Sequence, residues 1–237
     1  MRGLRPFADR FAAGRALAEV LTAKKLPDPI VLALPRGGVP VAVEIARALK
    51  APLDIVLVRK IGVPYQRELA VAAVVDGDRP QIVINEDVAR HASIPPGYID
   101  AQVNLKLQEI ERRRKAYLQG RDQVPLKGRT IILVDDGLAT GASVRVALKA
   151  LKRKEPRALI LVVPVAPAET LDELTREVDE IVCLRTPEPF IAIGVHYIDF
   201  HQLSDDEVIA LLSEHQTEES DRRDAKAGID RGQADVP

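Results

Sequence analysis

Short, continuous apolar runs recur along the chain, and most of them are followed by a turn and a stretch with helical spacing of apolar residues. Strands that are apolar throughout are typical of parallel sheets covered by helices on both faces. Parallel neighbours also need a crossover connection, which is usually a helix. The order of segments therefore predicts an α/β fold with an open, mainly parallel sheet flanked by helices. The predicted strands are 30–34, 53–58, 130–134, 158–163 and 180–184.

The remaining segments predict the helices and the irregular parts of the chain. Gly62, Pro64 and several charges predict a surface loop over 59–69, and 71–75 and 81–84 predict a hairpin-like excursion. Beyond Ser213 the chain is charged and poor in large apolar residues, so we expect a disordered tail over 214–237. The predicted helices are 8–24, 39–49, 95–118, 142–154, 168–177 and 205–212.

Composition excludes several classes of function. A net charge of −1 argues against a general polyanion binder. The basic cluster Arg112–Lys115 either contacts nucleic acid or forms a solvated helix face paired with Glu109 and Glu111, and the second interpretation is favoured. The single cysteine, Cys183, excludes an internal disulfide framework. No apolar run approaches the roughly 20 residues of a membrane span, and no secretory signal is evident, so we expect a cytoplasmic protein.

The segment after the strand 130–134 carries the strongest functional signal. Two carboxylates, Asp135 and Asp136, end the strand, and the small residues Ala139-Thr140-Gly141-Ala142-Ser143 open a helix. Free N–H groups at a helix N-terminus attract phosphate, and adjacent carboxylates accept hydrogen bonds from hydroxyls or bind a hard cation. The combination fits a phosphorylated sugar. The alternative is that the acids cap the helix and the hydroxyls only satisfy the turn.

The same segment resembles the signature of type I phosphoribosyltransferases: four apolar residues, two acids, a short link and Thr-Gly-x-Ser. The resemblance implies that Asp135 and Asp136 hold the ribose hydroxyls and that Ala139, Thr140, Gly141, Ala142 and Ser143 hold the 5-phosphate of phosphoribosyl pyrophosphate. It also implies Mg²⁺ at Asp135, Asp136 and Asp199, partly through water or ribose hydroxyls. Gly137 departs from the family, which usually has an aliphatic residue there.

Three further segments extend the resemblance, which covers about residues 8–213. Leu34-Pro35-Arg36-Gly37-Gly38 is similar to the pyrophosphate loop, which in the family often contains a cis peptide that does not involve proline nitrogen. Arg59-Lys60-Ile61-Gly62, followed by Glu68, is similar to the start of a mobile catalytic loop. In the third segment, 190–200, Phe190 and Ile193 would contact the acceptor. The resemblance thus assigns Arg36, Gly37, Gly38 and Arg59 to pyrophosphate, and Lys60 and Glu68 to catalysis with Asp135 and Asp136.

The resemblance implies a domain over 1–213, with an insertion near 76–128 and a small hood formed by 185–203 and the N-terminal segment. It implies transfer of a phosphoribosyl group to a nitrogenous, base-like acceptor or amine, with loss of pyrophosphate, by a homodimer. Ala139 and Val165 replace an acid and a lysine that 6-oxopurine enzymes carry, so the acceptor is left open. The chain most resembles bacterial phosphoribosyltransferase-domain proteins whose acceptor is unassigned.

Two other classes compete with this interpretation. A regulator that binds phosphoribosyl pyrophosphate without turnover would use the same fold, but near-neutral charge and the absence of an added DNA-binding segment disfavour it. Another nucleotide enzyme or a hydrolase is disfavoured because Gly141-Ala142-Ser143 lacks the lysine of a Walker motif and no GxSxG elbow is present.

Overall fold

The computed structural model describes residues 5–76, 80–92, 94–121 and 123–232, without the side chains of residues 67, 68, 223 and 225–232. Short 3₁₀ turns occur at Thr175–Glu177 and Ile193–His196. The helices are α1 (Arg10–Thr22), α2 (Gly38–Leu49), α3 (Glu86–His91), α4 (Tyr98–Leu118), α5 (Ala142–Lys152), α6 (Ala168–Leu174) and α7 (Asp205–Gly232). The strands are β1 (Pro29–Ala33), β2 (Leu53–Ile55), β3 (Val58–Val63), β4 (Gln66–Val75), β5 (Gln81–Ile84), β6 (Thr130–Val134), β7 (Ala158–Val165) and β8 (Glu180–Arg185).

Five strands form the parallel sheet that the sequence predicts, in the order β2-β1-β6-β7-β8. Strand β6 lies at the centre, with Ala33 opposite Val134 on one side and Val162 opposite Val134 on the other. All five of its residues are buried, as a strand covered on both faces requires. The predicted fold class is therefore confirmed. The carboxyl ends of β1 and β6 are neighbours, which places the segments that follow them side by side.

Helices cover both faces of the sheet. Leu17 and Leu21 of α1 and Val41 and Ile45 of α2 share one core with residues such as Ile132 of β6. A second core, on the other face, joins apolar residues of α5 to β1, β6 and β7; it includes Val144, Leu148, Leu151, Leu32, Leu133 and Leu161. Mainly aliphatic packing thus fixes the helices against the sheet, which agrees with a chain whose aromatic content is 3%.

The predicted surface loop over 59–69 is wrong. This region belongs to β3 and β4, which with β5 form a separate antiparallel sheet in the order β3-β4-β5. Ile61 and Val63 face inward while Arg59 and Lys60 are more exposed. Charges on a half-exposed strand made the segment resemble a loop, and Gly62 lies at an irregularity of the β3–β4 register. The predicted pairing of 71–75 with 81–84 is confirmed.

The basic cluster Arg112–Lys115 lies on α4 and is largely paired. Lys115 contacts Glu111 at 2.8 Å, and Arg113 lies 3.9 Å from Glu109. Arg114 instead turns inward and donates to the buried carboxylates of Asp54 and Asp76. These contacts favour the interpretation of a paired helix face over nucleic-acid binding. None of the described helices combines the length and apolar character that crossing a membrane requires.

Where we expected a disordered tail from residue 214, the structure continues α7 through Gly232, and residues 233–237 lie outside the described residues. His215 is 1% exposed, and Glu218 accepts two hydrogen bonds from Arg47 of α2, at 2.7 and 2.9 Å. The sequence of this segment is polar because only a narrow stripe of it touches the core. Because the mean hydropathy of this segment is low, a helix that packs against the rest of the protein could not be recognised from its sequence.

Shortening the chain tests whether this docking contributes to stability. A chain ending at Ser213 loses the burial of His215 and the Arg47–Glu218 pair, and we expect its free energy of unfolding to fall by about 1–3 kcal/mol. Urea unfolding followed by circular dichroism measures the difference. A chain ending at Asp224 keeps both contacts and serves as the control. Equal unfolding free energies for the chain ending at Ser213 and the control would show that the 214–222 segment contributes nothing.

Candidate active site

Two segments meet at the carboxyl edge of the sheet, one after β1 and one after β6. The N–H of Leu34 donates to the carbonyl oxygen of Val134 at 2.9 Å, which continues the β1–β6 pairing into the loops. A Cβ at Gly38 would lie 2.6 Å from the same carbonyl oxygen, so a side chain there would force the segments apart. The peptide between Pro35 and Arg36 is cis, as is frequent in the family that the sequence resembles.

A small pocket of about 140 Å³ opens where the segment after β6 faces β3, and no residue of the loop after β1 is in its described lining. It brings together candidates that are far apart in the chain. Lys60 of β3 lies on one side, and Asp135 and the helix-opening segment line the rest. The complete lining is Lys60, Asp135 and residues 137–144. The pocket thus joins a cation, a carboxylate and a helix N-terminus, which are suited to an anionic, hydroxyl-bearing ligand.

The segment 139–143 has the geometry of a helix-opening anion loop. Gly141 is the N-cap of α5 and has a φ of +64°, a left-handed conformation that favours glycine. The hydroxyl of Thr170 in α6 donates to the carbonyl oxygen of Ala139 at 2.8 Å, which holds the segment from outside. Ala139 and Thr140 are exposed, so the segment is accessible to a ligand.

Asp135 and Asp136 are held in different ways. Asp135 lines the pocket, and its Oδ1 accepts a hydrogen bond from the N–H of Asp136 at 2.9 Å. Burial, and then repulsion from Asp136, raise the pKa of Asp135 well above its usual value. Asp136 is 8% exposed, and its Oδ2 accepts from Nε of Arg10 at 2.7 Å. Burial raises the pKa of Asp136, and Arg10 opposes that increase.

Arg10 was missed in the sequence, and Tyr197 was predicted only as part of the segment 190–200. The Tyr197 hydroxyl donates to the carbonyl oxygen of Asp136 at 2.6 Å. Arg10 lies on the buried side of α1 together with Ala13, Leu17 and Leu21. A charged residue in register with an apolar helix face is a detectable signal, because such a charge needs a buried partner. The sequence contained this signal for Arg10, but it contained none that paired Tyr197 with Asp136.

Gly37 is required by the position of Asp136. A Cβ at residue 37 would lie 2.0 Å from Oδ2 of Asp136, the same oxygen that contacts Arg10. The next residue back, Arg36, has its Nη1 3.8 Å from Oδ1 of Asp205 at the start of α7. The loop after β1 is thus packed directly against the acidic pair, and its cation is partly exposed at the rim.

Arg59, one of the proposed catalytic-loop residues, is not part of the described pocket lining. Nε of Arg59 donates to Glu109 of α4 at 2.7 Å, and its Nη1 donates to the carbonyl oxygen of Val58 at 2.9 Å. Arg59 therefore points to α4 while its neighbour Lys60 lines the pocket. Glu68 lies in β4, but its side chain is outside the described part of the structure.

The segment 190–200 packs over the same edge of the sheet. The rings of Phe190 and His196 stack with centroids 5.8 Å apart. A Cβ at Gly137 would lie 2.7 Å from a methyl group of Ile193, so Ile193 fills the space that an aliphatic residue at 137 would occupy. The family departure at Gly137 is thus matched by packing from this segment. Within this segment Tyr197 contacts the ring of Phe200, and Phe7 from the N-terminal part of the chain completes an aromatic cluster.

The three carboxylates proposed for Mg²⁺ do not form a ready-made cluster. Asp199 is exposed and accepts hydrogen bonds from the backbone and the ring of His201, the latter at 3.0 Å. Within the described ranges, no group of three or more His, Cys, Asp or Glu side chains has the arrangement to hold a metal ion. A cation beside Asp135 would need further oxygen ligands from a bound molecule and from water, as is usual for Mg²⁺.

A larger cavity, of about 480 Å³, lies beside β2 and the C-terminal end of α5. Its buried acids, Asp54 and Asp76, are both paired with Arg114, and Asp76 also accepts from the N–H of Leu57 at 2.8 Å. Burial raises the pKa of Asp76 to about 6, while Arg114 lowers it. Because Arg114 already pairs with both buried acids, these carboxylates are less available to a cationic ligand than the carboxylate of Asp135.

Comparison with known proteins agrees with this fold. The family described as phosphoribosyl transferase domain matches residues 78–198, a little over half of the chain. A protein of Thermus thermophilus, known from its crystal structure, is 40% identical and superposes with a TM-score of 0.77, covering 89% of this chain and 99% of that one. The chain belongs to the phosphoribosyltransferase domain family, as its resemblance to type I enzymes predicted.

Two curated relatives come from strains of Mycobacterium tuberculosis, and their names assign them provisionally as phosphoribosyl transferases. Each is 42% identical over 231 residues, which is 98% of this chain and 51% of the relative. The chain thus spans about half the length of the curated relatives that it matches.

The contact between Gly37 and Asp136 leads to a test by coupled substitution. We expect Gly37→Ala to lower the free energy of unfolding by about 1–3 kcal/mol, because the methyl group displaces a buried, paired carboxylate. Backbone strain does not contribute, since Gly37 has ordinary right-handed angles, φ −59° and ψ −36°. In an Asp136→Ala background the space is free and the same change should cost almost nothing. Equal costs in the two backgrounds, measured by urea unfolding, would contradict the contact.

Proposed function

We propose that the protein is a phosphoribosyltransferase that takes its phosphoribosyl group from phosphoribosyl pyrophosphate with Mg²⁺, transfers it to a nitrogenous acceptor and releases pyrophosphate. The observation that carries the proposal is the pocket in which Lys60, Asp135 and the segment 139–143 line one space. Each contributes a group that one part of the donor needs: a cation, a carboxylate and a helix N-terminus.

The 5-phosphate is proposed to bind the N-terminal end of α5. The backbone N–H groups of Gly141, Ala142 and Ser143, the hydroxyls of Thr140 and Ser143, and the helix dipole supply donors and positive potential, and Ala139 opens the loop. Asp135 and Asp136 are proposed to accept from the ribose hydroxyls, Asp135 directly from the wall of the pocket.

Pyrophosphate is proposed to lie toward the loop after β1. Lys60 lines the pocket, and Arg36 is half-buried at the rim, so both can approach phosphate oxygens. The segment Gly37-Gly38 lies close to β6 and adds backbone N–H groups at the start of α2. Arg59 is also proposed as a pyrophosphate ligand. To bind pyrophosphate, its side chain would have to leave Glu109. Stabilising the leaving group in this way accounts for most of the protein's part in such a reaction.

Mg²⁺ fits the donor set beside Asp135, since a hard cation prefers carboxylate and phosphate oxygens and usually takes few protein ligands. When bound, it neutralises pyrophosphate charge and orients the donor. Asp136 and Asp199 are proposed as further or water-mediated ligands, and Asp199 would have to exchange its contact with His201.

The acceptor is proposed to lie against Phe190 and Ile193. Phe190 already stacks on His196, whose Nε2 is buried without a hydrogen-bond partner in the described part of the chain. An aromatic, nitrogen-bearing acceptor fits a ring surface with a polar edge. Ala139 offers no acid or base in the phosphate loop, so Glu68 of β4 is proposed for proton transfer. A homodimer is proposed on the resemblance alone.

Replacing Asp135 tests the proposal directly. Asp135→Asn keeps the shape of the side chain but loses its charge, and we expect binding of phosphoribosyl pyrophosphate with Mg²⁺ to weaken about 100-fold by calorimetry. Release of pyrophosphate with a panel of nucleobases should fall at least as far. Asp100→Asn, an exposed change on α4, is the matched control.

Three outcomes of that experiment discriminate the alternatives. Binding and turnover by the unaltered protein support the transferase. Tight binding without turnover for any base or amine would favour a regulator that senses the same compound. No binding by the unaltered protein, or equal binding by Asp135→Asn, would refute the proposed donor site.

A further inference from the structure

Arg10 connects the N-terminal helix to the end of the central strand. Its Nε donates to Oδ2 of Asp136 at 2.7 Å, and the exposed fractions of the two side chains are 9% and 12%. The residues are 126 positions apart in sequence. A buried arginine in this contact cannot rotate away without leaving an unpaired charge inside the protein, so the pair has one defined geometry.

The same guanidinium also holds the segment 197–201. Nη1 of Arg10 donates to the carbonyl oxygen of His201 at 3.0 Å, and the guanidinium carbon lies 3.9 Å from the centre of the Phe200 ring. Arginine suits this position because its planar group donates in two directions and stacks on an aromatic face at the same time. One side chain thus fixes α1, Asp136 and the segment 197–201 relative to one another.

Asp136 connects Arg10 to Asp135, the carboxylate that lines the pocket. Its carboxylate contacts Arg10, its carbonyl oxygen accepts from Tyr197 at 2.6 Å, and its N–H donates to Oδ1 of Asp135 at 2.9 Å. The polar groups of Asp136 are therefore committed in three directions, and one of them orients the carboxylate that lines the pocket. The hydrogen bond to Asp135 comes from the backbone N–H of Asp136, so it depends on the position of the Asp136 backbone, which Arg10 anchors through the carboxylate and Tyr197 anchors through the carbonyl oxygen.

We propose that Arg10 is a positioning residue, which acts through Asp136 to orient Asp135 and which also holds the segment 197–201 beside the acidic pair. The inference rests on the proposed function in one respect, namely that the pocket binds phosphoribosyl pyrophosphate. Arg10 itself contacts neither the pocket lining nor the proposed 5-phosphate segment. Its role is to couple the part of the site proposed for the donor to the part proposed for the acceptor.

Three substitutions separate this role from simple packing. Arg10→Gln removes the charge, and we expect the Kd for phosphoribosyl pyrophosphate with Mg²⁺ to rise about 10- to 100-fold, as for other residues that orient a ligand-binding group. Arg10→Lys keeps the charge but not the second contact and the stacking, so it should recover only part of the loss. Arg15→Gln, a change on the same helix at a side chain that is 58% exposed, should leave Kd, kcat and KM unchanged.

A double-mutant cycle tests whether Arg10 acts through Asp136. If it does, Arg10→Gln combined with Asp136→Asn should bind the donor no more weakly than the worse of the two single variants. Multiplicative losses would overturn the proposal, because they would mean independent effects. The single variant Arg10→Gln should also raise the KM for the acceptor, since the segment 197–201 loses an anchor.

The outcomes also distinguish this inference from the proposed function. If the unaltered protein does not bind the donor, the proposed function fails. If it binds and Arg10→Gln binds equally well, only the role of Arg10 is refuted. Should Arg10→Gln fail to fold by circular dichroism, Arg10→Lys and Phe200→Leu decide the matter, and donor and acceptor parameters equal to those of the unaltered protein in both would overturn the proposal.

Discussion

The central position of β6 is the constraint on which the rest of the site depends. Pairing with β1 on one side and β7 on the other fixes the end of β6 in the middle of the sheet edge, where ligands bind in open parallel sheets. The five residues of β6 are all buried, so the strand cannot slip without moving apolar side chains into water. Asp135 and Asp136 directly follow Val134, so the packing of β6 determines where the two carboxylates lie.

Close packing around this edge explains why small residues occur where they do. Gly38 allows the loop after β1 to approach the carbonyl oxygen of Val134, and Gly37 leaves room for the carboxylate of Asp136. Gly137 in turn leaves room for Ile193, which brings the segment 190–200 onto the sheet. Each glycine removes a side chain so that a functional or covering group can take its place. The three together set how closely the loops of the site pack.

Elements that are buried on all sides could be predicted from the sequence. Some elements that are buried on one side and exposed on the other were missed. Fully apolar strands such as β6 predicted the parallel sheet, and the helix-opening segment 139–143 predicted the pocket because both signals are local. Strand β3 was missed since Lys60 and Arg59 lie on exposed or half-exposed positions, and the end of α7 was missed because only a narrow stripe docks. The contact of Arg10 with Asp136 depends on pairing across 126 positions, which no local pattern specifies.

Placing two adjacent carboxylates in a buried position at the end of β6 is electrostatically unfavourable, and the part of the protein that the structure describes pairs only one of them with a cation. Two adjacent carboxylates in a buried place repel each other, and burial raises the pKa of both. A buried ion pair adds little net stability, because desolvation of the charges offsets their attraction. The stability gained from the Arg10–Asp136 ion pair therefore does little to explain why an arginine occupies position 10. Of the two carboxylates, the Arg10 guanidinium contacts only Asp136, and Asp135 at the wall of the pocket has no protein cation at hydrogen-bond distance in the described ranges. Asp136 is thus anchored to α1, whereas Asp135 faces the pocket.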